Sequence, residues 1–562
     1  MGDLADAVPI LPSAPAMHTG PPAALERHAP PPELNRDILG VIFEHCDHLG
    51  VVRDLSQVCW GWRDHLLKSP SVWARAFDLE MLDQKSDAWR ALVLQRTGHE
   101  LLSVRRRRPV LWDTPSRPFL ADLLYRHWAR IRDVDLVVTP EALDDPRMWG
   151  ALRRPAPALR TFSCALLGIP GLAHPDVLLH MPNRPRGNFV LFANYAPALM
   201  ELRLVAHFPA LSLSAAASRT LLGSTGNLRR LVLARTVRMS DVDLLTACMQ
   251  LPCIETLTLS LARFKRSPPS HTDALRPLVP RLKLIELTEI NPCIYSAFLD
   301  HIVPAADCAL SIAHPLVSWS ESAADSSSLE AQDVGHMGCV AGHYAYSYIE
   351  HAGVPLDTIQ LTIARQEFVF EIPGGHGCQF RIAAEQKRRE NDEDDEDVPD
   401  FLAPLVASLL GAPLPPCITT LKMEFRRADN FLCRAPPLQA LASMGAITVL
   451  DTYSFYLAHL HRGQLEQPAL PLPALATLVL RDRALDAGAL QEGMLPFLVH
   501  RFYAAPVAVL EFASAVDAPC DLRFLDVLTG LKVVWTVAGR LRPLEYVCGS
   551  GDTAQLWFAG GP

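Results

Sequence analysis

The sequence has no uninterrupted apolar run of about 18 residues, the length that a membrane-spanning helix needs. The nearest stretch, 401–418, is broken by Pro404, Pro413, Pro415 and Pro416, so a soluble chain is expected. The 13 cysteines are odd in number, and none forms a Cys-x-x-Cys pair. They read as reduced thiols of a cytoplasmic or nuclear protein, without a disulfide framework or zinc clamp. Catalytic signatures are missing too: there is no Gly-x-Ser-x-Gly elbow, phosphate-binding loop or His-Glu-x-x-His. His336, Cys339 and His343 are ligand types, but structural zinc takes four. His376 and Cys378 are too close in sequence to imply a base and a nucleophile without other support. No metal, no cofactor and no enzyme activity are expected. Residues 1–30 are rich in Ala and Pro without periodicity, and read as a disordered tail. Asp3 and Asp6 stand where a secretory leader carries positive charge, and Asp6 also breaks the myristoylation pattern.

What the chain does contain is a repeat. An apolar residue, two variable positions, an apolar residue, one variable position and another apolar residue recur from Ile131 onward. Ile131-Val134-Leu136, Leu159-Phe162-Cys164, Leu199-Leu202-Leu204 and Leu228-Leu231-Leu233 begin the series. Ile254-Leu257-Leu259, Leu282-Ile285-Leu287 and the looser Asp307-Leu310-Ile312 continue it. Leu356-Ile359-Leu361, Ile418-Leu421-Met423, Leu475-Leu478-Leu480 and Val507-Leu510-Phe512 come next, with Ile447-Leu450 and Leu531-Val534 as degraded copies. Many starts lie about 28 residues apart, as at 131 and 159 or 254 and 282.

Alternation over so few residues predicts a short strand with one apolar face. Proline stands just before several units (157, 197, 252, 280, 416, 473), ending one segment and turning the chain into the next. Helical or irregular pieces lie between, such as the one that Ser240 can cap, with Val242, Leu245 and Met249 inward. A single strand–helix unit cannot bury its own apolar face, whereas a stack of them can. The pattern resembles the leucine-rich repeat, with the polar Asn or Cys position mostly missing. An open βαβ sheet shares the same alternation and remains the alternative.

Ahead of the repeats, Pro31 to Phe77 reads as three short helices. Leu34, Ile38 and Ile42 repeat every four residues, with Leu39 and Phe43 beside them, and Gly50 marks the stop. Leu55, Val58, Cys59, Trp62 and Leu66 form the second face; Ser69-Pro70 ends it, and Ser71 to Phe77 carries Trp73. In order and spacing, Pro32-Glu33-Leu34, Ile38-Leu39, Ile42-Phe43, Asp54-Leu55, Val58-Cys59, Trp62-Arg63 and Ser69-Pro70-Ser71-Val72-Trp73 resemble the F-box. Pro31 departs from it by standing where a hydrophobe is usual, and Gly61 costs its helix about 1 kcal/mol relative to Ala. An ordinary helical hairpin capping a larger core is the plainer alternative. A unit of ~45 residues is small to be stable without a partner or a staple.

The resemblance implies an α/β architecture, an N-terminal three-helix F-box followed by a leucine-rich-repeat-like strand/helix solenoid. The boundaries are a tail at 1–30, F-box-like helices at 31–78, a helical linker and first repeat at 79–130, and the solenoid at 131–562. It implies a Skp-type adaptor as partner, linked to a cullin and a RING subunit, with a target protein on the repeats. Pro32, Leu34, Leu39, Val58, Cys59, Trp62 and Trp73 are the candidate adaptor-binding residues. An interaction scaffold without a ligase is the second reading. Neither a membrane nor nucleic acid is an expected partner.

Two insertions break the repeat register. The polar stretch 318–342 reads as a surface loop. Near 385–400, the run Glu390 to Asp400 carries eight acidic residues and no basic ones; without it the formal charge of −9 becomes −9 + 8 = −1. It lacks the central Gly of a calcium loop and reads as solvated. Arg105 to Arg108 is either a nucleic-acid or import patch or, as favoured without interleaved aromatics, a solvated edge after a strand at 102–104.

Overall fold

A computed structural model of the chain describes residues 34–558 apart from internal segments, the longer being 167–190, 206–224, 266–276, 316–330, 386–401 and 427–434. Pro32, the tail and the acidic run therefore lie outside the described residues, as do His376 and Cys378.

Four helices, not three, open the described chain: α1 (Arg36–Glu44), α2 (Leu49–Leu55), α3 (Trp60–Leu67) and α4 (Pro70–Arg75). Gly50 does not stop a helix; it lies in the first turn of α2, where its N–H donates to His48 Nδ1 at 3.2 Å. The stripe read from Leu55 to Leu66 is divided because Cys59 is extended and caps α3, its Sγ accepting from Trp62 N–H at 3.4 Å. Phe43 is fully buried between them, 5.5 Å from the Trp62 ring and 5.6 Å from His65. Trp73 is equally buried, its indole N–H donating to Leu66 O at 2.8 Å and its face under the Arg96 guanidinium. Helix α5 (Asp87–Arg96) thus packs against α4.

Among the described residues, one sheet of 17 strands dominates the rest, beside three two-stranded pairings and the helices between strands. Its first parallel block runs β1 (Leu102–Val110), β2 (Ile131–Val138), β3 (Thr161–Leu166), β4 (Glu201–Val205), β5 (Arg230–Ala234), β6 (Thr256–Ser260), β7 (Leu284–Thr288) and β8 (Ala309–Pro315), each beside its predecessor. The second block starts at β9 (Thr358–Ala364) and continues through β12 (Thr420–Arg426), β13 (Val449–Thr452), β14 (Thr477–Leu480), β15 (Val509–Val516) and β16 (Lys532–Val537). Antiparallel β17 (Leu544–Val547) closes that end. The two blocks meet through a hairpin, β10 (Glu367–Ile372) and β11 (Phe380–Glu385), inserted so that β8 pairs with β11 and β9 with β10. Among the described residues the sheet is therefore continuous, mixed at this seam and at its end.

Local turn chemistry builds each repeat. Before most strands a four-residue turn closes, as in Leu159 N–H to Ala156 O, Leu199 to Ala196, Ile254 to Leu251, Leu282 to Val279 and Leu475 to Leu472. Proline holds the second position of each of these turns, where its fixed φ fits and no N–H is needed. The carbonyl just before a strand then accepts two N–H groups from the next repeat: Arg160 O takes Met200 N–H at 2.8 Å and Glu201 N–H at 3.1 Å. The same fork recurs at Met200, Arg229, Glu255, Asp357, Thr419, Thr448 and Ala476.

The apolar positions stack laterally. Val134, Phe162, Leu202, Leu231, Leu257, Ile285 and Leu310 face one another across the first block. Leu231, Leu257, Ile285 and Leu478 are all buried, each contributing about 1.5–3 kcal/mol. The parallel row that runs through Leu287 to Ile312 crosses the seam by Ile382, Phe370 and Leu361. In the last parallel repeat the core pair is Val533 and Trp535, not Val534, because Leu510 and Phe512 face those two.

Further expectations change. The arginine run is part of β1, and Arg106 points inward, 5% exposed, bonded to Asp83 at 2.5 Å. The polar stretch read as a loop to Gly342 is helical from Ala331 on: Ala331–His351 is a 21-residue helix with Met337, Ala341, Tyr344, Ala345 and Tyr348 buried. With α6 (Arg117–His127), α7 (Pro146–Leu152), α8 (Asp241–Met249) and α9 (Pro292–His301) ahead of it, this long helix is α10. On α8, Leu244, Leu245 and Cys248 are buried, whereas Met249 is exposed instead of facing inward. Helix α10 packs on α11 (Leu402–Gly411), followed by α12 (Ala435–Ser443), α13 (Ser454–Glu466) and α14 (Ala487–Ala504), each against the next. Gly338 makes the α10–α11 approach possible, since a Cβ there would lie 2.7 Å from Ser408 Cβ and 2.9 Å from Leu405 O.

Candidate partner-docking surface

Helix α1 carries apolar residues on more than one side. Leu39 and Phe43 go into the core, whereas Ile38, Val41 and Ile42 are 49%, 58% and 40% exposed, and Leu34, just ahead of the helix, is 45% exposed. On α2, Val51 is exposed, and Val58 follows it just before α3. Trp60, 78% exposed, and Leu67 stand seven residues apart on α3, hence on one face, with Asp64 between them. Asp64 bonds Lys68 at 2.8 Å and lies 3.8 Å from Arg36 of α1, so the α1 and α3 surfaces adjoin. Arg53 and Asp54 pair at 2.8 Å on α2. Apolar side chains among short helices with charged neighbours have the make-up of an interface core and rim.

The candidate residues separate accordingly. Leu34, Val58 and Cys59 are exposed, and Trp62 is half-buried against Phe43. Leu39 and Trp73 are inside and hold the helices together, so they offer a partner no surface. Pro32 lies outside the described residues. Sequence reasoning missed Val41, Val51, Trp60 and Leu67. Trp60 and Leu67 fall off the helical stripe of Trp62 and Leu66, and that offset is the signal that marks them as outward.

Other chemistry-bearing groups have clear positions too. His336, Cys339 and His343 lie along the exposed side of α10, lining a hollow of about 520 Å³ against α9 and the turn at 302–308. Among the described residues no three His, Cys, Asp or Glu side chains converge as a metal site. Burial pushes the thiols of Cys164 and Cys248 up to about 12, leaving them inert core residues. Among the described residues no helix is long and apolar enough to cross a membrane.

No protein-family model matches the chain, and no curated protein matches it. Among solved structures, the crystal structure of the Rad7 and Elc1 complex in yeast is similar over 82% of this chain and 92% of that one. The identity is 11% and the TM-score 0.24, a likeness too slight to carry an argument about function.

Proposed function

We propose that this chain is a substrate receptor of a Skp–cullin–F-box type ubiquitin ligase. Its N-terminal helices would dock a Skp-type adaptor, and its repeats would hold a target protein. The observation that carries this reading is the outward apolar set Leu34, Ile38, Val41, Ile42, Val51, Val58, Trp60 and Leu67. It lies on helices whose sequence has the F-box order and spacing, and a folded chain rarely leaves so many large apolar groups together in water without a partner for them. The chain itself performs no chemistry in this scheme. Ubiquitin transfer belongs to the recruited enzymes, and the receptor supplies proximity and orientation. The place of action is the cytoplasm or the nucleus, where thiols stay reduced.

Co-purification tests it. The wild-type chain should retain a Skp-type adaptor, and Ile38→Ala with Trp60→Ala should lose it while the repeat sheet keeps its thermal midpoint. Both side chains are exposed, so their loss leaves the core intact. A wild-type chain that never retains the adaptor would overturn the ligase reading, leaving an interaction scaffold built on the sheet.

A further inference from the structure

The forked carbonyls set one residue of each repeat in a row along the edge where the strands begin. In the first block the row reads Arg132, Arg160, Met200, Arg229, Glu255 and Lys283. In the second it reads Asp357, Thr419, Thr448, Ala476 and Ala508. The same backbone device thus carries four cations in the first block, whereas the second block has small neutral side chains beyond Asp357.

At the cationic end, Arg132, Arg160, Arg229 and Arg230 surround Asp133 and Glu201 in an open hollow of about 420 Å³. Four guanidiniums face two carboxylates there, in a chain whose formal charge is −9. Internal pairing is slack. Arg229 lies 3.6 Å from Glu255 and Arg230 3.7 Å from Glu201, all four side chains well hydrated. Arg132 bonds Asp133 at 2.9 Å, and Arg160 makes no ion pair among the described residues. Surface pairs of this kind are worth little and yield to a better-placed anion.

We infer that this edge binds an acidic polypeptide segment, whose spaced carboxylates pair with the arginines in place of Glu201 and Glu255. Neighbouring strands are about 4.8 Å apart, so Arg132 and Arg160 stand one step apart and Arg160 and Arg229 two. An extended peptide repeats its side chains on one face every ~6.8 Å, a spacing that long arginines accommodate. Nucleic acid fits less well. Among the described residues the hollow has no aromatic side chain for a base to stack on, and Asp133 and Glu201 interrupt the path that a continuous phosphate chain would take. The inference rests on the receptor reading for the identity of the segment as part of a target, but the binding is measurable without the adaptor.

The experiment uses the full chain with three fluorescent probes: a peptide of alternating Glu and Ser, its Gln–Ser counterpart, and oligothymidylate of equal charge. The Glu–Ser peptide should bind, weakening steeply as salt rises, and the Gln–Ser peptide should not. Arg160→Glu with Arg229→Glu should weaken binding at least about tenfold. Arg160→Gln with Arg229→Gln should give a smaller loss. Both variants should keep the wild-type thermal midpoint, because these side chains are exposed. Undiminished peptide binding by the charge-reversed variant, equal binding of the Gln–Ser peptide, or tighter binding of the oligonucleotide would each overturn the inference. An adaptor pulldown run alongside separates the two readings. Adaptor retained without peptide binding sinks this inference alone; peptide bound without adaptor supports it and sinks the receptor reading.

Discussion

Two tryptophans on neighbouring helices have opposite fates. Trp73 is fully enclosed and hydrogen-bonded, so Trp73→Ala should cost about 3–5 kcal/mol and loosen all four N-terminal helices. Trp60→Ala should leave the thermal midpoint unchanged yet weaken adaptor binding by about tenfold or more. Thermal melts and adaptor titrations of the two variants separate packing from docking. A variant joining Leu34→Ala to Trp73→Ala would mix the two effects, because the second change strikes the core. A third residue makes stability depend on pH. Burial, and then the charge of His500 on α14, hold the His461 imidazole below its ordinary pKa, the two rings lying 5.8 Å apart. The unfolded chain takes up that proton near pH ~6.5 and the folded chain resists it. This contribution is therefore complete above that pH and declines as pH falls below it. His461→Phe should flatten the fall in thermal midpoint between neutral and mildly acidic buffer. An identical slope in the variant would assign the acid sensitivity to other groups.

Elements differ in how openly the sequence declares them. The strands carrying Leu231, Leu257, Ile285 and Leu478 are legible because a period-two apolar face is a local property. Helix α10 is not, since Gln332, Asp333 and His336 give its first half a polar composition, in which Met337, Val340 and Ala341 are the buried apolar side chains among the described residues. The hairpin of β10 and β11 escapes notice because Phe370 and Ile382 sit in strands that lack the repeat's leucines. Arg106 reads as surface because its partner, Asp83, is distant in sequence and nothing local reports the pairing. On the docking helices the motif is legible, but the side on which each of its residues falls is not. The α10–α11 contact offers a sharp test. Gly338→Ala places a methyl against Ser408 and the Leu405 carbonyl, and should destabilise by about 1–3 kcal/mol. Pairing it with Ser408→Gly should recover part of that loss, as a denaturant titration of the two variants would show.

At the scale of the whole molecule, the seam decides whether there is one folding unit or two. The sheet crosses it through β10 and β11, and the helix layer through α10. Phe370 is buried in β10 against the edge of Phe380, 6.1 Å away. Phe370→Ala should cost about 3–5 kcal/mol locally. Because stacked repeats are coupled only to neighbours, weakening this junction should split a single heat-absorption peak into two. Calorimetry reads the result directly, and a peak that shifts without splitting would mean that α10 alone keeps the blocks coupled.

The seam also has a consequence in time. In both parallel blocks a strand finds its neighbour in the repeat just made: Leu231 faces Leu257, and Leu450 faces Leu478. A chain emerging from the ribosome can add these repeats one after another, each onto a finished edge. At β8 the sequence of events breaks, for Ser311 waits for Arg381, and Thr358 in turn for Thr420. Until β11 arrives, β8 is an open edge of the kind that holding chaperones cover and stray strands invade. The second block has no platform of its own before then. Synthesis should therefore pass through a half-built molecule with all of its cationic edge in place, and the first block should resist protease on stalled ribosomes before the hairpin is made.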